Sequence, residues 1–361
     1  MSDSASTESS TTTPSTRLQI RQPDDWHLHL RDGAALQAVV GATAQQFARA
    51  IIMPNLREPV TTVVQAQAYR QRIMAALNQV LPDSRFEPLM TLYLTDQTRP
   101  AWIREAIASG VVYAVKLYPA GATTNSEAGV TDLSRIGLVL AELQETGMPL
   151  LVHGELTGAD VDTFDREARF IDDVMIPLRR DFPALRIVFE HITTEQAAQY
   201  VRDADGDIAA TITPQHLLYN RNAIFSGGLR PHWYCLPILK REHHRLALVE
   251  AATSGNPRFF LGTDSAPHPA MLKEHARACA GCYSAPYAMA LYATAFERAG
   301  HLDRLEGFAS GFGPRFYRLP PNENRITLVR ERTFIAQSLP FGEHTIVPLA
   351  AGEPIDWRIE D

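Results

Sequence analysis

Short apolar runs recur along the chain, and most close on a polar or small residue. The clearest are RLQIRQPDDWHLHL (17–30), RAIIMPN (49–55), FEPLMTLYLTD (86–96) and VVYAVKLYP (111–119). PLLVHGE (149–155), RIVFEHI (186–192), DIAATITPQH (207–216) and RFFLGTDSAPH (258–268) follow. These runs are rich in Val, Ile and Leu without strict alternation. That pattern suits strands buried on both faces, as in a parallel sheet. Between them lie helical patterns at 34–50, 61–81, 100–110, 131–147, 167–182, 193–204, 240–255 and 285–300. Thr131–Asp132 reads as a helix start, and Gly147 and Gly255 read as helix ends.

Eight strand–helix units in alternation predict an α/β fold, a (β/α)8 TIM barrel rather than a doubly wound sheet. No GxGxxG follows the first run, which also argues against a dinucleotide fold. Residues 17–361 are expected to form one barrel domain. Its C-terminal piece, from about residue 304, is rich in Pro, Gly and short β-like runs and is expected to pack on the outside. Residues 1–16 are mostly Ser and Thr and are expected to be a disordered tail, since they cannot bury apolar surface.

Composition narrows the partners. A formal charge of −7 with no dense basic run argues against nucleic acid. No apolar run is long enough to span a bilayer. The tail has no apolar core, so it does not read as a secretory signal. Three cysteines, Cys235, Cys279 and Cys282, fit a reducing cytoplasm, and CAGC (279–282) reads as two thiols near a turn.

The chemistry lies at the ends of the runs. In DDWHLHLRDG (24–33), His27, His29 and Arg31 are spaced by two, so an extended strand would place all three on one face. The later runs end in Asn55, Lys116, His153, His191, Asp264 and His268. Barrel active sites sit at the C-terminal ends of the strands. Each residue alone has a plain structural explanation: a hydrogen-bonded histidine, a turn-capping aspartate, a lysine reaching water. Their coincidence at one end of so many segments points instead to a metal site. Imidazole and carboxylate ligands suit zinc, and four His with one Asp exceed what one tetrahedral ion needs. Two ions are the natural count. An ammonium at Lys116 would then be repelled. It must lie elsewhere, be neutral, or be converted to a carbamate by CO2. The helical REHHR (241–245) reads as a solvated face.

These residues resemble the amidohydrolase superfamily and, within it, the short bacterial dihydroorotases. PDDWHLHLRDG, MPNL, VKLYPAGATTNS, LLVHGE, FEHITT, TPQHL and GTDSAPH carry the likeness, from about Arg17 to the C-terminal region. The resemblance implies that His27, His29 and Asp264 bind one zinc and that His153 and His191 bind a second. Lys116, as N6-carboxylysine, would bridge them, and Asp264 would be the catalytic proton carrier. It implies a substrate site of His29, Arg31, Asn55, His153 and His268, with backbone contacts from Leu236 and Ala280. A mobile loop with Thr123 and Thr124 at its tip would close over it. The implied reaction is reversible hydrolysis of dihydroorotate to N-carbamoyl-L-aspartate in pyrimidine biosynthesis, by a cytoplasmic homodimer. The alternative is another binuclear cyclic amidase, such as a hydantoinase or allantoinase. Arg31 favours an anionic substrate over a neutral hydantoin. A mononuclear deaminase or a decayed, non-enzymatic scaffold fits less well, because the whole ligand set is present.

Overall fold

The structure is a computed structural model, and it describes residues 16–360. The expected disordered tail therefore lies outside the described residues except for Thr16, whose carbonyl accepts from Arg330 N.

Eight parallel strands form one sheet in sequential order: β2 (Asp24–Leu28), β3 (Arg49–Ile52), β4 (Glu87–Tyr93), β5 (Val112–Leu117), β6 (Leu150–Val152), β7 (Ile187–Phe189), β8 (Ile208–Ile212) and β9 (Phe259–Leu261). The sheet closes just beyond β9, where Asp264 N donates to His27 O (2.9 Å) and Leu28 bridges Ser265. A helix follows each strand. They span Gly33–Ala44, Val63–Val80, Pro100–Ser109, Gly137–Thr146, residues 166–181, Glu195–Asp203, Glu242–Thr253 and Ala288–Arg298. The fold is the expected barrel.

The first apolar run departs from expectation. It is two strands, not one. β1 (Arg17–Arg21) leaves the barrel and pairs antiparallel with β10 (Arg325–Phe334), which pairs in turn with β13 (Pro354–Ile359). β11 (Leu339–Phe341) and β12 (His344–Ile346) make a separate hairpin. Pro23 sits at the break and has no N–H to give a ladder. The other strands are shorter than their apolar runs. The 207–216 run stops at Ile212 because Thr213 caps a one-turn helix, Pro214–Leu218, accepting from His216 N. At 131–147, Asp132 does cap, accepting from Ser134 N (2.8 Å), but its first turn (Leu133–Ile136) is a 3-10 helix. Gly147 ends the helix in the left-handed conformation, and Gly255 follows the helix ending at Thr253 with φ +79°.

Two cores hold the barrel. An inner one joins Trp26, Ile51, Met53, Leu89, Ala114, Leu151, Val188, Ala209 and Phe260 with Tyr317. A larger one joins the strands to the surrounding helices. The short helix Phe312–Tyr317 meets the inner core, where Tyr317 stacks on Trp26 at 4.3 Å between centroids and 8° between planes. Gly313 on that helix has no side chain because the Trp26 indole fills the space a Cβ would need.

Candidate metal centre

The strand ends deliver the predicted residues to one place, though not by the predicted route. β2 ends at Leu28, and its register slips between Asp25 and Leu28. The slip puts Trp26 in the inner core while Leu28 joins the outer one. His29 and Arg31 lie past the strand, and Arg31 is left-handed with φ +59°. Strand alternation therefore does not set the His27–His29–Arg31 face; a slip and a turn do. His191 (φ +41°) and Asp264 (φ +46°) also occupy this sparsely populated region. Non-glycine residues persist there only where the surroundings over-determine them.

His27 Nε2 lies 3.4 Å from His29 Nε2, and Asp264 Oδ1 lies 3.3 Å from the first and 3.1 Å from the second. His153 Nδ1 faces His191 Nε2 at 3.2 Å. The His27 and His191 rings are 4.8 Å apart, as are those of His153 and His191, so the two pairs form one cluster. All five side chains are buried. Lys116 is fully buried beside them and pairs with Glu190.

Two carboxylates back the imidazoles. His27 Nδ1 contacts Glu190 Oε2 at 2.5 Å, and His153 Nε2 contacts Glu155 Oε2 at 2.9 Å. A proton on each of these nitrogens turns the opposite ring nitrogen inward as a lone pair. Carboxylate–histidine pairs of this kind orient metal ligands. Below them, Asp25 accepts from His27 N (3.1 Å) and from Thr263 N (2.9 Å), tying β2 to the end of β9.

Protonation separates the imidazoles: burial lowers His27, but Glu190 and Asp264 outweigh it and raise its pKa, whereas His29 and His191 are lowered. Burial, reinforced by Arg31, pushes the His29 imidazole down to about 4. Burial and His153 hold His191 well below its ordinary value. Both rings are thus neutral, the ligand form. Burial alone would raise Asp264, but His27, His29 and His191 hold its carboxyl well below the usual range. Burial lowers the Lys116 amine, with Glu190 opposing.

This donor set fits a cation. Two imidazole nitrogens and a carboxylate oxygen converge within 3.1–3.4 Å, and His191 Nδ1 is buried without a hydrogen-bond partner. His27, His29 and Asp264 form one possible ion-binding group, and His27, Glu190 and His191 another.

The expected substrate residues line one side. Arg31 Nη2 lies 3.0 Å from His268 Nε2, and its Nη1 lies 3.5 Å from His29 Nδ1. His268 Nε2 is 3.1 Å from Ala280 O. Asn55 donates from Nδ2 to Thr124 O (3.0 Å), while its Oδ1 is buried without a partner. Thr124 Oγ1 donates to Ala280 O (3.4 Å), so the loop tip spans from Asn55 to Ala280. Thr123 N donates to Ser126 Oγ within the loop. Leu236 is half-buried just before Pro237, whose carbonyl contacts His216 Nε2 at 3.1 Å.

Sequence reasoning passed over Glu190, Glu155 and Asp25. Glu190 adjoins His191, and strand alternation would point the two apart. β7 ends at Phe189, so that rule does not apply. One reading needs correction: His244 in REHHR is buried, not solvated, and accepts from Glu195 N (3.1 Å). Cys235 and Cys282 are buried free thiols, and Cys279 is half-buried.

A closed parallel barrel with an imidazole–carboxylate cluster at the strand C-terminal ends is the architecture of a barrel hydrolase with a metal centre. The amidohydrolase family model matches residues 24–303. A curated dihydroorotase from Ralstonia pickettii is 67% identical over 341 residues, covering 94% of this chain and 98% of that protein. The solved dihydroorotase of Campylobacter jejuni aligns with TM-score 0.88 and 32% identity, covering 98% of this chain and 100% of that one. The Saccharomyces cerevisiae dihydroorotase in complex with 5-fluoroorotic acid aligns with TM-score 0.86 and 32% identity, covering 95% and 98%. The chain belongs to the amidohydrolase family and, within it, to the dihydroorotases. Enzymes of this family depend on metal, and the chain carries matching ligand clusters. Among the described residues no helix is long and apolar enough to cross a membrane.

Proposed function

We propose that this chain interconverts (S)-dihydroorotate and N-carbamoyl-L-aspartate, running as ring closure in pyrimidine biosynthesis. The observation that carries the reading is the Arg31–His268 pair set directly against the His27–His29–Asp264 cluster. It couples an anion-binding guanidinium to a hydrolytic centre, as a carboxylated cyclic amide requires. The yeast relative's 5-fluoroorotic acid is likewise a carboxylated pyrimidine.

In this reading His27, His29 and Asp264 would hold one zinc ion and His153 and His191 a second, and Lys116, as a carbamate, would supply a further carboxylate ligand. Burial favours the neutral Lys116 amine that CO2 addition needs: the nitrogen–carbon bond forms and one amine proton leaves. The metal pair supplies Lewis acidity and acidifies water near neutral pH.

The chain's own groups do the rest. Asp264 faces both His27 and His29, so its carboxylate can take the proton of the attacking water and pass it to the leaving ring nitrogen. Ring closure reverses that transfer. Arg31 presents a planar fork that matches a carboxylate, with His268 beside it, and the unpartnered Asn55 Oδ1 can accept an N–H of the same substrate. Leu236 and Ala280 offer backbone groups to the pyrimidine ring, and the Thr123–Thr124 loop excludes water. A homodimer acting in the cytoplasm completes the reading.

The test follows the ultraviolet signal of dihydroorotate with zinc-loaded protein in both directions. Opening and closing of the ring supports the proposal. Silence from protein carrying two metals per chain discards this substrate and directs the search to hydantoins and other cyclic amides.

A further inference from the structure

Lys273 ends the short helix Ala270–Lys273 and is 3% exposed. Its Nζ donates to three backbone carbonyls: Tyr234 O (2.7 Å), Cys279 O (2.9 Å) and Gly281 O (2.7 Å). An ammonium has three N–H groups, so all three are used. Among the described residues it has no carboxylate partner, and burial lowers its pKa, with only the thiols of Cys282, Cys235 and Cys279 opposing.

Those carbonyls belong to two segments more than 40 residues apart in sequence, 234–236 and 279–281. Tyr234 lies two residues before Leu236, and Cys279 and Gly281 flank Ala280. The segments also touch directly, where Gly281 N donates to Tyr234 O (3.0 Å). The intervening carbonyl, Ala280 O, faces His268 Nε2 instead. Of three consecutive carbonyls, 279 to 281, Lys273 thus holds the outer two, and the middle one faces His268 from the same stretch. That stretch begins four residues after Asp264.

We propose that Lys273 is a positioning residue for substrate: it staples the 234–236 and 279–281 backbones into the wall that meets the pyrimidine ring, and its unpaired buried charge favours an anionic ligand there. This rests on the reading that Leu236 and Ala280 contact the ring. A carboxylate–lysine pair would have fixed the backbone less directly and cancelled the charge. Carbonyl dipoles satisfy the ammonium while leaving its net charge in the site.

The test uses the full-length, zinc-loaded protein with Lys273→Met, which keeps the stem and removes the charge, and Lys273→Gln, which keeps one donor. Amide hydrogen exchange is read peptide by peptide. Faster exchange confined to about 230–240 and 276–284 is expected, with the Met variant more affected than the Gln variant. With dihydroorotate, KM is expected to rise about tenfold or more while kcat changes less than about threefold and metal content stays at the wild-type value. Unchanged exchange overturns the staple. An unchanged KM, or a collapse of kcat and metal content together with KM, overturns the positioning role. If wild-type protein leaves dihydroorotate intact, the functional reading fails on its own, while the exchange result still decides the staple.

Discussion

Glu190 Oε2 lies 2.5 Å from Nδ1 of His27, and both groups are buried. The same carboxylate pairs with Lys116. One acid thus faces both the ring nitrogen of a candidate ligand and the amine of the lysine at the centre of the cluster. Glu190→Gln removes the charge and keeps the shape. Metal affinity should fall about 10- to 100-fold, measured by competition with a chromophoric chelator. Unaltered affinity would show that His27 orients itself without this partner.

Arg31 is held by Pro267 O (3.2 Å) beside His268. Arg31→Lys keeps the charge and loses the fork. KM should rise about tenfold to 100-fold, consistent with loss of a charge-assisted bidentate contact. Bound zinc, read by atomic absorption, should not change. Kinetics equal to wild type would remove Arg31 from the substrate site.

The loop tip reaches across the pocket through Thr124 to Asn55 and Ala280. Replacing Thr123 and Thr124 together with Gly removes both hydroxyls and loosens the backbone. The turnover number should drop about tenfold or more with metal content preserved. A rate as fast as wild type would mean that these residues do not close the site.

At the opposite end of the barrel, Gly313 packs against Trp26 with no room for a Cβ. Gly313→Ala should destabilise by about 1–3 kcal/mol through overpacking, despite alanine's better helix propensity. Thermal unfolding followed by circular dichroism measures it. A higher melting temperature would show that the helix shifts freely off the indole.

His244 supplies a pH test away from the metal cluster. Burial, with His243, Lys240 and Arg241 nearby, lowers it from an ordinary 6.5 to about 4, and its Nδ1 accepts from Glu195 N. Between those values the unfolded chain binds the extra proton and the folded one does not. Its contribution is therefore intact above pH 6.5 and is lost as pH falls toward 4, by at most about 1.4 kcal/mol per pH unit. His244→Gln should flatten the fall in melting temperature between pH 7 and pH 5. An equally steep acid limb would assign the loss to other groups.

The apolar runs and their spacing were enough to read a parallel barrel, because strands buried on both faces and helices buried on one leave different local periods. They also marked the candidate ligand residues, because barrel chemistry collects where strands end. His27, His29, His153, His191, Asp264 and Lys116 could be located from this rule and meet in one cluster. Strand length was less legible. A threonine that caps one helical turn, Thr213, ends β8 inside an apolar run, and Pro23 divides another.

Tertiary structure alone decided the partners. Arg31 and His268 stand 237 residues apart, and Lys116 and Glu190 stand 74 apart. No local pattern encodes such pairs, because closing the barrel is what sets their distance. The left-handed turns at Arg31, His191 and Asp264 are of the same kind. L residues disfavour that conformation locally, so only the surrounding contacts can hold them there. Lys273 is the extreme case. From the sequence it is one more surface-type cation in LKEH; in the fold it is buried, because the carbonyls of Cys279 and Gly281, together with that of Tyr234, 39 residues away, supply what water would have given it.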